Sequence, residues 1–97
     1  LQEATTWRMQ NGMTDFNNAG ASSHDYLHLF GLTGLALMWA KMAKVALEKK
    51  AEADPYYQEK LATGHYFLDR MVPDGAAHLA KVKTGAKTMM ALPAEAF

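Results

Sequence analysis

The chain has 97 residues and a formal net charge of zero, with 49% apolar and 21% charged residues. That length suits a single domain, and that composition is typical of a globular protein rather than a disordered one. The balanced charge argues against an electrostatic nucleic-acid binder, which needs a basic excess. The absence of cysteine excludes disulfides and thiol chemistry, and it is compatible with a reducing compartment such as the cytoplasm.

The sequence starts at Leu1, and it shows no charged segment followed by an apolar core, the pattern of a signal peptide. We therefore expect a fragment of a longer polypeptide, with residues 1–97 forming one helical domain. The most apolar stretch runs from Tyr26 to Ala40, whereas a bilayer span needs about 20 residues. This comparison predicts a buried helix of a soluble protein and no membrane span.

Strand signals are weak, because the chain has three valines and no isoleucine while alanine is frequent. The first predicted helix covers residues 1–17 and ends in the turn-forming residues 17–20. Its apolar stripe follows spacings of three and four, at Leu1, Thr5, Met9, Met13 and Phe16.

The second predicted helix begins with Ser22 or Ser23 as its N-cap and places Asp25 in the first turn, where a negative charge is favourable. It continues to Leu47 and ends in a solvated segment, residues 48–52. Apolar residues cover more than one of its faces, which predicts burial by several neighbouring helices. Within it, Gly31 and Gly34 predict the close approach of another helix backbone.

The third predicted helix begins at Asp54, an N-cap residue, followed by a proline in the first turn. A packing seam follows at Tyr57, Leu61, Gly64, Leu68 and Met71. Pro73 interrupts it, and the seam resumes at Leu79, Val82, Ala86 and Met89. The predicted fold is therefore all-α: an antiparallel bundle of three long helices, the third kinked or split near Pro73, with a non-helical end at Pro93.

Two histidines, His24 and His28, are four residues apart and share one helix face, a spacing that can supply two metal ligands. A third ligand would have to come from elsewhere, such as Asp25 or His65. We therefore favour the interpretation that His24 and His28 are exposed or capping residues and do not bind a metal. We expect the helical His65 and His78 to be structural or solvated. The sequence therefore predicts no metal site.

Signals for other chemistry are also weak. Asp15 and Asp25 lack a carboxylate partner for acid–base work, and Asp69 and Arg70 are adjacent and do not face each other. No glycine-rich phosphate loop or nucleophile elbow is present. We expect three late lysines to form a solvated face and two tryptophans to be packing anchors: Lys81, Lys83, Lys87, Trp7 and Trp39. No catalytic or cofactor-binding residue is predicted.

Several motifs together resemble the C-terminal extension domain of acyl-CoA dehydrogenases, in the subgroup that includes methylthiopropionyl-CoA dehydrogenases. The resemblance extends from about residue 4 to the end of the chain. It is carried by Ser23-His24-Asp25-Tyr26-Leu27, Phe30-Gly31-Leu32, residues 38–43, Lys60-Leu61-Ala62-Thr63, Tyr66-Phe67-Leu68, Pro73 and residues 90–97.

The resemblance implies a parent flavoprotein, an oxidoreductase of fatty acid metabolism that oxidises an acyl-CoA between its α and β carbons. In that family a glutamate takes the proton and FAD takes the hydride, in domains upstream of this segment. No catalytic residue is therefore carried over to this chain, and FAD belongs to the parent alone. The implied role is packing on the upstream dehydrogenase domains, with support for homo-oligomer formation or for the acyl-CoA channel.

The sequence leaves two alternative functions open. One is a freestanding helical adaptor that binds a partner helix or peptide in a groove. The other is a small metal-binding bundle that uses His24 and His28.

Overall fold

A computed structural model describes residues 1–49 and 54–97, in which all regular secondary structure is helical. The helices are α1 (Gln2–Thr14), α2 (Phe16–Lys49), α3 (Tyr56–Arg70) and α4 (Asp74–Thr84), followed by a short 3₁₀ helix (Ala94–Ala96). This confirms the predicted all-α class. The split of the third predicted helix is also confirmed, because α3 and α4 are separated by Met71–Pro73.

The boundary between α1 and α2 differs from the prediction. The helix is interrupted at Asp15, whose backbone is extended (φ −150°, ψ 113°). The Oδ1 of Asp15 accepts a hydrogen bond from the Asn17 N–H at 2.9 Å. The predicted turn at residues 17–20 is wrong, since these residues lie inside α2. The predicted caps Ser22 and Ser23 are likewise helical, and their hydroxyls donate to the Ala19 carbonyl.

The start of α3 lies one residue later than predicted, because the N-cap is Pro55 and the first helical residue is Tyr56. The carboxylate of Asp54, just before this cap, accepts a hydrogen bond from the Tyr56 N–H at 2.9 Å and so satisfies a free donor of the first turn. At the preceding helix end, Glu48 and Lys49 are exposed as expected. The rest of the predicted solvated segment, residues 50–52, lies outside the described part of the chain.

Two compact units make up the structure, residues 1–30 with 76–97 (unit 1) and residues 31–75 (unit 2). In unit 1, α1 runs antiparallel to the first part of α2. The Thr5 and Tyr26 hydroxyls are 2.7 Å apart, and an Arg8 guanidinium N–H donates to the Ala19 carbonyl at 3.1 Å. A Cβ on Gly12 would lie 3.2 Å from the Ala19 Cβ, which shows how closely the two backbones approach.

The core of unit 1 lies where α4 meets these two helices. It consists of the buried Ala4, Leu29 and Val82, with partly buried residues packed around them: Leu1, Trp7, Tyr26 and Leu79. The buried face of α1 therefore contains Ala4 and Gly12. The predicted stripe on α1 is wrong at its far end, because Met9, Met13 and Phe16 are 68%, 81% and 84% exposed.

In unit 2, the second part of α2 runs antiparallel to α3. The Trp39 ring lies over Phe67, with centroids 6.1 Å apart and planes inclined by 28°. A Cβ on Gly64 would lie 3.3 Å from Trp39 Cε3, so the indole fills the space beside this glycine. The predicted seam is confirmed at Gly64, but the second buried residue of α3 is Phe67, and Leu68 and Met71 are exposed.

The predicted burial of α2 on several sides is wrong. Its large apolar side chains are mostly exposed, including Leu27 at 68% and Leu37 at 54%. Gly31 and Gly34 have no atom of the described residues within 4 Å of an added Cβ, so none of the described helices packs against them. The physical reason is that the described elements cover only part of the surface of this 34-residue helix.

By length and composition alone, α2 also qualifies as a candidate membrane span, with 11% of its most apolar window buried. A single helix of this kind near an N-terminus is weak support for a span, because core helices of soluble proteins pass the same test. The expectation that the chain has no membrane span therefore stays a prediction.

Candidate functional site

Three of the four histidines lie together in unit 1. The rings of His24 and His28 have centroids 4.3 Å apart, and His28 stacks on His78 at 5.3 Å. The His28 Nδ1–H donates to the His24 carbonyl at 2.9 Å, and the His78 Nδ1 lies 2.9 Å from Asp25 Oδ1. Asp25 thus pairs with α4 instead of occupying the predicted first turn of a helix.

This histidine cluster leaves two of its members, His24 and His28, exposed, while His78 and Asp25 are partly buried. His65 lies in unit 2, where it lines a small cavity of about 70 Å³ beside Trp39 and Gly64. Among residues 1–49 and 54–97, no three histidine or carboxylate side chains are arranged to hold a metal ion. The structure brings the histidines of unit 1 together as a packed cluster that links α2 to α4.

The two tryptophans have the packing positions expected of them. Trp39 contacts Phe67 and Gly64, and the Trp7 ring lies 3.6 Å from where a Cβ on Gly85 would be. Both indoles are partly buried. Each tryptophan therefore anchors one helix pair inside its own unit.

The late lysines are exposed, as expected, and one of them forms an ion pair. The Lys83 ammonium donates to the Glu3 carboxylate, which joins α4 to the first turn of α1. This hydrogen bond, and then the positive charge of Lys83, lower the pKa of Glu3 from its ordinary value of 4.5, against a smaller opposing effect of desolvation.

Replacing Lys83 with glutamine is expected to return the pKa of Glu3 to its ordinary range. The lowered pKa means that the pair contributes to stability above about pH 4.5 and that this contribution is lost as the pH falls through the Glu3 pKa. A side-chain NMR titration of Glu3 measures the shift. The matched variant Lys87→Gln should leave the titration unchanged, and an unchanged Glu3 pKa in Lys83→Gln would show that the pair does not form.

A pocket of about 370 Å³ lies in unit 2 between the second part of α2 and the start of α3. It is lined by apolar and aromatic side chains and two lysines: Met42, Val45, Ala46, Tyr56, Tyr57, Lys41 and Lys60. The sequence did not predict this pocket. Its lysines come from different helices, and no spacing pattern links Lys41 with Lys60.

An exposed apolar stripe follows the second part of α2 at spacings of three and four. It comprises Gly31, Gly34, Leu35 and Met38, and we call it the α2 stripe. Leu35 and Met38 are 50% and 46% exposed, and the two glycines have open space on their outer sides. Such a surface allows the backbone of another helix to approach closely.

The expectation that no residue of this chain binds FAD stays a prediction. One common type of dinucleotide site uses the backbone N–H groups of a glycine-rich loop at a helix N-terminus to hold the pyrophosphate. Gly31 and Gly34 do not form such a loop, since both lie inside α2. We derive no chemical step through FAD on this chain.

In a comparison with known families, residues 1–93 match the family described as Acetyl-CoA dehydrogenase C-terminal like. Searches of curated proteins and of solved structures found no match. The family match covers both compact units and all four α-helices.

Proposed function

Because this chain belongs to the acetyl-CoA dehydrogenase C-terminal-like family, we propose that it is the non-catalytic helical domain of an FAD-dependent acyl-CoA dehydrogenase. Its role is to pack on the upstream dehydrogenase domains and to support subunit association or the wall of the acyl-CoA channel. The parent enzyme is then a cytoplasmic homo-oligomer of fatty acid metabolism, and residues 1–97 act as one domain of it.

The observation that carries this proposal is the exposure of α2. Soluble monomers rarely leave large contiguous apolar surfaces in water, and such surfaces mark contacts with a partner. In the described part of unit 2 the α2 stripe has no covering element, although its glycines and apolar side chains suit helix packing. The family match supports the upstream dehydrogenase domains as this partner, since the family is described as a C-terminal domain.

The small size of the apolar core also supports a docking role. The buried apolar side chains of the described residues are Ala4, Leu29, Ala46, Phe67, Val82 and Ala86, so only two of the six are larger than valine. The described core is therefore small for a chain of this size. Covering the exposed face of α2 by another domain adds apolar burial to it.

Association of the chain with the separately produced dehydrogenase domains of its parent is the test. We expect a stable complex in sedimentation equilibrium, and we expect the double variant Leu35→Gln, Met38→Gln to weaken it at least about tenfold, because two apolar contacts are lost. The matched control is Leu92→Gln, which alters a leucine that is 60% exposed outside the α2 stripe.

A wild-type chain that fails to bind the dehydrogenase domains would refute the docking role and favour the freestanding adaptor. Equal weakening by Leu92→Gln and by the double variant would place the docking surface elsewhere. Circular dichroism of each variant separates a loss of binding from a loss of fold.

A further inference from the structure

The pocket of unit 2 has the size and lining of a ligand site. Its volume of about 370 Å³ lies within the range of small-molecule pockets, which are mostly apolar with a few polar groups that orient the ligand. Met42, Val45 and Ala46 supply the apolar surface, and Tyr56 and Tyr57 add aromatic rings and hydroxyls.

In the described lining of the pocket, both charged residues are cations, Lys41 and Lys60. The Lys60 ammonium lies 5.4 Å from the ring centroid of Trp39 and 5.6 Å from that of Tyr56, within the range of cation–π attraction. These contacts hold Lys60 at the pocket, although a ring face does not neutralise its charge. Lys41 lines the same pocket from α2 and is exposed.

No carboxylate balances these two cations within the described chain. Among residues 1–49 and 54–97, the lining contains no aspartate or glutamate, and the ion pairs involve neither lysine. The acid that precedes the pocket residues of α3, Asp54, uses its Oδ1 to accept from the Tyr56 N–H. A cationic pair beside an apolar surface complements a ligand that has an anionic head and an apolar body.

We propose that this pocket binds a small anionic amphiphile, meaning a carboxylate, sulfonate or phosphate attached to an apolar chain or ring. The head group contacts Lys41 and Lys60, and the apolar part packs against Met42, Val45 and Ala46. This ligand site goes beyond the docking role proposed above and stands independently of it, because every residue that forms it belongs to unit 2 of this chain.

Decanoate, kept below its micelle-forming concentration, is the probe, and NMR titration of the 97-residue chain is the measurement. We expect saturable shifts of the amide resonances of Met42, Ala46 and Tyr57. Decyltrimethylammonium, which has the same chain length and the opposite charge, should not produce them. The double variant Lys41→Gln, Lys60→Gln should weaken decanoate binding about tenfold, and Lys60→Arg should retain it.

Lys87→Gln is the matched control, since it removes an exposed lysine of unit 1 and should leave the affinity unchanged. Equal shifts with the cationic probe, or equal weakening in Lys87→Gln, would overturn the proposal. So would an acidic peptide that shifts these resonances when decanoate does not, because the pocket would then be a docking site for protein.

If the double variant does not fold, the comparison of the two probes on the unchanged chain still decides the outcome. Because the dehydrogenase domains are absent from this titration, failure of ligand binding leaves the docking role untouched, and failure of docking leaves the ligand site untouched.

Discussion

Replacing Phe67 with alanine is expected to lower the free energy of unfolding by about 3–5 kcal/mol, the usual range for a buried phenylalanine. The side chain is 5% exposed, and its ring lies over Trp39. Removing it leaves a cavity between α2 and α3 and deprives the indole of its aromatic partner. Urea denaturation followed by circular dichroism measures the change.

Tyr66→Ala is the matched control for Phe67→Ala. Tyr66 is the preceding aromatic residue on α3 and is 63% exposed, so its loss should change the free energy of unfolding by about 0.5 kcal/mol or less. Equal effects of the two substitutions would show that α3 does not pack on Trp39 through the Phe67 face.

The second large effect is expected at Gly85, directly after α4. Its φ of +69° lies in the left-handed region, which strains any residue with a Cβ. An added Cβ would also lie 2.8 Å from Asn18 Oδ1, and this oxygen accepts a hydrogen bond from the Ala86 N–H at 3.0 Å. We expect Gly85→Ala to lower the free energy of unfolding by about 1–3 kcal/mol.

The control for Gly85→Ala is the same substitution at a helical position. Gly20 lies inside α2 and has no atom within 4 Å of an added Cβ. Gly20→Ala should therefore stabilise the chain by about 0.5–1 kcal/mol, because alanine is the better helix former. The same chemical change thus has opposite signs at the two sites, and a neutral Gly85→Ala would contradict the contact between Asn18 and Ala86.

The sequence was sufficient for the features that depend on local chemistry. Low β-branched content predicted the helices, Asp54 predicted the start of α3 to within one residue, and Pro73 predicted the split between α3 and α4. Each of these signals acts through the backbone of its own segment, so neighbouring elements do not change its effect.

The sequence did not predict the features that depend on contacts between residues far apart in the chain. Residues 17–20 are helical, and the Asn18 side chain makes contacts there that no local pattern predicts: its amide donates to the Asn11 carbonyl and its Oδ1 accepts from the Ala86 N–H. The lysines of the pocket lie 19 positions apart along the chain, at Lys41 and Lys60, and only the antiparallel packing of α2 and α3 brings them to one pocket.

At the α2 stripe, the sequence predicted a contact that the structure of the described residues does not contain. Its glycines and apolar side chains predicted close packing against another helix, and no helix of the described chain packs there. The proposed docking role reconciles the two, because the approaching surface then belongs to the upstream dehydrogenase domains.

Carbene footprinting of Leu35 and Met38, read by mass spectrometry in the free chain and in the intact parent dehydrogenase, tests this central claim most directly. Both side chains are about half exposed in the free chain and should be labelled there. The docking role predicts that labelling at both positions falls severalfold in the parent enzyme, as solvent is excluded from the core of an interface. Equal labelling in the two forms would contradict it.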